Sequence, residues 1–367
     1  MNKYSEIPWN NIVEMAKLTY MIYNYSSKCP ITKFEELNEY INNKKKEIND
    51  QQFFDSNDLE FLHTMQEKYP DTNVLRFFTN KADLQCAIGI NPSQKRYTVV
   101  FRGSESWTDW MYDLTILKYK LQDNIYVHKG FYKQLHNNNT YAQILDFIKL
   151  EMENNVEAKD YEWYITGHSL GGALSTLFGY LLSKDIPDLN VTIVSLASPR
   201  VGNLNFKDDF ENNNKLKHYR VCNNRDSFTA VPCIGYYHVG KNLHYSDYHE
   251  LWIVCNEEDK VNYNIFRCYN PFDHKCMLYI KRLESHLRCQ NVNNNDLHQE
   301  LLNQDNDENN HENTKKDLNK IVSEIVTENK LYHDLNDDIN NETTNKPIQK
   351  QENKIIQLNQ QELNLDI

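Results

Sequence analysis

Tyr161 to Leu182 reads YEWYITGHSLGGALSTLFGYLL and places three of the chain's ten glycines within three residues of Ser169. A β-rich run, then Gly167-His168-Ser169-Leu170-Gly171, then a helical run is the context of a nucleophile elbow, in which a serine sits on a sharp strand-to-helix turn. Small residues must flank such a serine, because side chains would collide across the turn. The helix that starts behind it aims free N–H groups and its positive end at a developing oxyanion. The chemistry implied is acyl transfer, with Ser169 as nucleophile and the Leu170 N–H as one oxyanion donor. His168 reads as a packing residue of the elbow, not as the base.

A serine hydroxyl needs a base, and the base needs an orienting acid. In chain order after Ser169 the acid candidates are Asp185, Asp188, Asp208, Asp209, Asp226 and Asp247. Asp185 and Asp188 are too close to the nucleophile's helix, and Asp208 and Asp209 lie in a polar, helix-like run. Asp226 follows an alternating strand, and a loop after a parallel strand lies at the sheet's carboxyl edge, as the elbow does. Asp226 is therefore the expected acid. The base candidates are His238, His244, His249, His274 and His286. His249 opens an apolar strand. His274, in NPFDHKCMLYI, stands on a loop entering a short helix, but spacing does not separate it from His238 or His244.

The elements that must position these residues read as α/β. KRYTVVFRG (Lys95 to Gly103), YEWYIT (Tyr161 to Thr166), VTIVSLAS (Val191 to Ser198) and KHYRVCN (Lys217 to Asn223) are strand-like, and Ala173 to Leu182 is helical. Strands separated by helices predict a mostly parallel central sheet flanked by helices. PWNNIVEMAKLTYMIYN near the start predicts a helix covering one face. HELWIVC (His249 to Cys255) and NYNIFRC (Asn262 to Cys268) suggest a hairpin, and Thr32 to Asn80 is polar and helix-prone.

Charge divides the chain in two. Residues 291–367 carry 7 lysines, no arginine and 16 acidic residues, a net of −9 out of −12. They contain no Gly, Trp or Phe, and such a composition cannot bury enough apolar area to offset chain entropy. A folded domain over 1–290 and a disordered acidic tail over 291–367 are expected. Within the tail, Leu318, Ile321, Val322 and Ile325 have the spacing of a short amphipathic helix. The nearly neutral body offers no nucleic-acid surface, and the triplet Lys44 to Lys46 reads as a solvated face. No stretch reaches the ~20 apolar residues of a membrane span. No signal-peptide core is seen at the N-terminus, so an intracellular protein with reduced cysteines is expected. No zinc-type Cys/His spacing appears, and neither metal nor cofactor is expected.

Seven blocks in order, VVFRGSESWTDWMYDL, VHKGFY, ITGHSLGGALSTL, LASPRVGN, YRVCNNRDSFTAVP, GYYHVG and FDHKCMLYI, resemble the fungal-type (class 3) lipases of the α/β-hydrolase superfamily. They span about Tyr97 to Ile280. The resemblance implies Ser169 as nucleophile, Asp226 as orienting acid and His274 as base, and sets His238 aside. It implies that Ser104, after Phe101-Arg102-Gly103, joins the Leu170 N–H in the oxyanion hole, with Asp113 fixing the Ser104 hydroxyl. Glu105 to Tyr112 matches the lid and carries Trp107 and Trp110. The implied activity is carboxylic-ester hydrolysis, of an acylglycerol first, with a phospholipase A1 or soluble-ester esterase as alternative. A non-catalytic lipid-binding or scaffold protein is the alternative from another class. The implied partner is a lipid or ester substrate, met at a lipid–water interface. Pro232-Cys233 departs from the family's common Pro-Pro. Cys255 and Cys268 fall much as one family bridge does, and Cys29 with Cys289 is a second conceivable pair, although free thiols are the expectation.

Overall fold

The structure, a computed structural model, describes residues 7–24, 71–104, 117–155, 160–223, 226–246, 251–255 and 271–288. All of them fall within one compact unit, Met1–Asn291. The expected lid with Trp107 and Trp110, Asp113, the basic triplet at Lys44, the strand at 262–268, Cys29, Cys268 and Cys289, and the tail over 291–367 lie outside the described residues.

Among the described residues, eight strands form one sheet in the order β1-β2-β3-β6-β7-β8-β9-β10. The middle five, β3 (Arg96–Phe101), β6 (Glu162–His168), β7 (Val191–Leu196), β8 (Leu216–Asn223) and β9 (Lys241–Ser246), are parallel. The flanks are antiparallel: β1 (Asn73–Thr79) and β2 (Gln85–Asn91) on one side, β10 (Leu251–Cys255) on the other. A small ribbon, β4 (Lys118–Gln122) with β5 (Ile125–His128), lies outside this sheet. The run ending at Cys255 pairs with β9, while its expected hairpin partner at 262–268 lies outside the described residues. One sequence expectation changes: the end of the polar Thr32 to Asn80 stretch forms edge strand β1. That strand depends on pairing with β2 and on a turn organised by Asn80, whose Oδ1 accepts from the Ala82 and Leu84 N–H groups at 2.9 and 3.1 Å.

Alternation along the strands divides the core into two layers, because successive side chains point to opposite faces. Tyr97, Val99, Phe101, Trp163, Ile165 and Ile193 face one layer. It is filled by α2 (Lys129–His136), α3 (Thr140–Asn154), α4 (Leu170–Asp185) and α5 (Leu204–Asn212). Val100, Tyr164, Val194, Tyr219 and Val221 face the other layer, against α1 (Trp9–Asn24) and the helix 276–288, here α6. Helix α4 is buried almost all round, which suits a central helix more than a surface one.

Helix α1 is also tied to the sheet by polar contacts. Asn11 Nδ2 donates to the Tyr164 hydroxyl at 2.8 Å, and the Thr19 and Thr166 hydroxyls are 2.8 Å apart. Glu14 and Arg96, both buried, form an ion pair that Gln94 joins from 3.1 Å. Removing one partner of such a pair would leave an uncompensated buried charge, at a cost of about 3–5 kcal/mol.

Candidate active site

β6 ends at His168 and α4 begins at Leu170, so one residue makes the turn. Ser169 has φ 57° and ψ −122°, a backbone conformation that L residues rarely adopt. Its N–H donates to the Leu196 carbonyl at 2.9 Å and its carbonyl accepts from the Ala173 N–H at 3.2 Å. A Cβ on Gly167 would collide with the Gly171 carbonyl, and one on Gly171 would collide with the Phe101 carbonyl oxygen. Both obstacles are backbone and cannot swing aside, which gives the two glycines a steric cause. The Ser169 side chain does not cap α4, and its hydroxyl turns to His274.

His274 Nε2 lies 2.8 Å from Ser169 Oγ, and Nδ1 lies 3.0 and 2.9 Å from the two oxygens of Asp226. A carboxylate only accepts, so Nδ1 carries the hydrogen and, in the neutral ring, Nε2 accepts from the serine. Ser169, Asp226 and His274 are each 5% exposed or less, so their interactions are little weakened by water.

Each member is held from several sides. Asp226 caps the 3-10 turn Ser227–Ala230, accepting from the Phe228 N–H at 3.0 Å. The Tyr279 hydroxyl donates to the other Asp226 oxygen at 2.7 Å and accepts from the Asn223 N–H at 3.0 Å. The His274 ring stacks on Phe228, with centroids 3.9 Å apart. The turn Pro271–His274 is fastened to the end of β8 by Asn223 Nδ2, which donates to the Asp273 carbonyl at 2.8 Å.

His168 is not in line with the serine. Its Nε2 is 2.6 Å from the His274 carbonyl, and its Nδ1 is 2.9 Å from the Tyr23 hydroxyl. Burial, and then the nearby His274, push its pKa well below the usual histidine range. It is a neutral ring that spans the elbow and the His274 backbone.

The other candidates are engaged elsewhere. His238 contacts the Thr229 carbonyl at 2.5 Å from within the core and is held neutral by burial and by Arg220 and Arg200. His244 lies within β9, and the His286 ring packs 4.3 Å from Trp9. Asp185 accepts from Tyr141, and Asp209 from Lys184 and Tyr180. Asp188 and Asp208 are exposed. His249 and Asp247 lie outside the described residues. The two oxyanion candidates sit beside the serine. Leu170 is the first residue of α4. Ser104 follows Gly103, whose Cβ, were there one, would be 2.6 Å from the His168 carbonyl. Sequence reading missed Tyr23, Asn223, Phe228 and Tyr279. Tyr279 stands five residues after His274 and Phe228 two after Asp226, but nothing local marks either as a support.

Residues 98–236 match the family described as Lipase (class 3), a span that holds Ser104, Ser169, Leu170 and Asp226 and ends before His274. The chain is 28% identical to a lipase of Rhizomucor miehei over 214 residues, 56% of this chain and 51% of that one. It is 30% identical to phospholipase A1-II 1 of Oryza sativa subsp. indica over 169 residues, 40% and 42% of the two chains. The chain thus spans about half the length of the curated relatives it matches. The crystal structure of a lipase from Rhizopus microsporus var. chinensis superposes with a TM-score of 0.51 at 25% identity, covering 58% of this chain and 76% of that one. The fold is that of the α/β hydrolases, and residues 98–236 carry the similarity to the class 3 lipases.

Proposed function

We propose that this protein hydrolyses carboxylic esters of lipids through Ser169, His274 and Asp226. The observation that carries the reading is the unbroken chain from Ser169 Oγ through His274 to Asp226, with both hydrogen-bonding steps at 3.0 Å or less. As Ser169 Oγ attacks the ester carbonyl, His274 Nε2 takes its proton, and Asp226 stabilises the imidazolium. The Leu170 N–H at the start of α4, with Ser104, receives the carbonyl oxygen as it becomes an oxyanion. The tetrahedral adduct collapses, the ester C–O bond breaks, and the alcohol leaves with the proton from His274. Water then attacks the acyl-serine, gives a proton to His274, and releases the carboxylic acid as Ser169 regains its hydrogen.

An acylglycerol is the substrate class put first. Among the described residues, Leu117, Tyr119, Leu204, Ile234 and Tyr237 are exposed large apolar side chains. Their segments are brought together by the Tyr236 hydroxyl, which donates to the Leu117 carbonyl at 3.1 Å, and by the Tyr237 N–H, which donates to the Gly202 carbonyl at 2.8 Å. An apolar surface with tyrosines suits contact with lipid. Among the described residues no helix is long and apolar enough to cross a membrane. Similarity to a phospholipase A1 as well as to lipases favours one second reading, hydrolysis of a phospholipid acyl ester. Turnover of emulsified triacylglycerol, phosphatidylcholine vesicles and a soluble short-chain p-nitrophenyl ester separates these. Triacylglycerol hydrolysis above the other two supports the acylglycerol reading, dominance of phosphatidylcholine selects the second, and no hydrolysis of any ester contradicts both.

A further inference from the structure

Helix α1 runs along β6, the strand that ends in the elbow. Asn11 meets Tyr164, Thr19 meets Thr166 and Tyr23 meets His168, three alternate residues on the strand face turned to the helix. The last of these contacts reaches the site. The Tyr23 hydroxyl sits against Gly103, the residue before Ser104, so closely that a Cβ there would collide with it. The same hydroxyl is 2.9 Å from His168 Nδ1, while His168 Nε2 is 2.6 Å from the carbonyl of His274.

We infer that Tyr23 is a positioning residue, which fixes the tautomer of His168 and through it the place of His274. The inference rests on the Ser169–His274–Asp226 reading above. A neutral imidazole has one N–H, and either nitrogen can carry it. A carbonyl oxygen can only accept, so the 2.6 Å contact to His274 requires the hydrogen on Nε2. With the other tautomer, a nitrogen lone pair would face that oxygen, and the turn carrying His274 would be pushed from the elbow. A hydroxyl donating to Nδ1 selects the first tautomer. Burial supports this arrangement, since it disfavours the doubly protonated ring. Nothing in the local sequence of α1 marks Tyr23 for this task, because the contact spans 145 positions of sequence separation.

The test compares Tyr23→Phe in two backgrounds, wild type and His168→Gln, in the full chain with a soluble p-nitrophenyl ester. Glutamine presents an amide N–H near the position of Nε2 and has no tautomers. In the wild-type background Tyr23→Phe is expected to lower kcat roughly tenfold, the order of one buried hydrogen bond, with KM changed less than about twofold. In the His168→Gln background the same substitution is expected to change kcat less than about twofold. Equal losses in both backgrounds would assign Tyr23 to packing alone and overturn the inference, as would an unchanged kcat in the wild-type background. The rate of Ser169 labelling by a fluorophosphonate, measured on wild type and Tyr23→Phe, reads folded protein only and should fall in step with kcat; an unchanged rate overturns the inference even if His168→Gln does not fold. Wild-type protein that is folded and never labelled overturns the Ser169 reading itself, and the inference falls with it.

Discussion

The Tyr279 hydroxyl stands between two main supports of the site, donating to Asp226 Oδ2 at 2.7 Å and accepting from the Asn223 N–H at 3.0 Å. Asp226 thereby has three kinds of donor: a backbone N–H, a phenol and an imidazole. Burial and the neighbouring Asp226 hold the Tyr279 hydroxyl well above the usual tyrosine range, so it remains a donor. Tyr279→Phe removes the phenol and leaves a buried N–H without that acceptor. Stability should fall by about 1–3 kcal/mol, and kcat by roughly tenfold as Asp226 gains freedom. Urea unfolding and steady-state kinetics on one preparation measure both, and unchanged kinetics would place Tyr279 outside the functional network.

The elbow should tolerate no added methyl group. In Gly171→Ala the new Cβ runs into the Phe101 carbonyl and lies 2.9 Å from the Arg102 carbonyl carbon, with no flexible side chain to yield. Overpacking against backbone should cost about 1–3 kcal/mol or more and displace Ser169. Thermal unfolding together with ester turnover checks this, and a variant as stable and active as wild type would contradict the close approach of β3 and α4.

Two buried histidines make stability depend on pH. His168 and His238 are both held well below their ordinary value of 6.5, chiefly by burial. In the unfolded chain each takes a proton as the pH falls through about 6.5, whereas the folded form resists. Between that pH and the lower folded values the unfolded state binds more protons, so stability falls with falling pH, by up to about 1.4 kcal/mol per unit for each histidine. Stability from these two groups is complete above about pH 6.5. Chemical denaturation between pH 5 and 8 should show this slope, and His238→Gln should make it shallower. A wild-type protein equally stable across that range would contradict the assignment of neutral rings.

Local sterics made the elbow legible from sequence, because glycine at Gly167 and Gly171 and a serine between them are needed wherever a strand turns so sharply into a helix. Asp226 was legible from topology, as the carboxylate after a parallel strand. His274 was not separable by spacing from His238 and His244, because it meets Ser169 across 105 residues and its approach is set by how the turn Pro271–His274 docks on β8. The resemblance, and not the spacing, singled out His274. Edge strand β1 was missed because its sequence, NVLRFFT, is half exposed and forms a strand only beside β2. Tyr23 and Tyr279 were invisible because their roles lie in side-chain contacts 145 and 53 residues distant in sequence.

The central claim is that Ser169 is the nucleophile, and the most direct measurement is mass spectrometry of the full chain after reaction with a fluorophosphonate. Wild-type protein should carry one adduct, on Ser169, and lose ester turnover in proportion to it, since an activated serine selectively attacks the phosphorus and displaces fluoride. Ser169→Ala should stay folded, take no adduct, and lose turnover by a factor of roughly 10³ or more. An unlabelled, folded wild type, or a Ser169→Ala variant that still hydrolyses the ester at the wild-type rate, would contradict it.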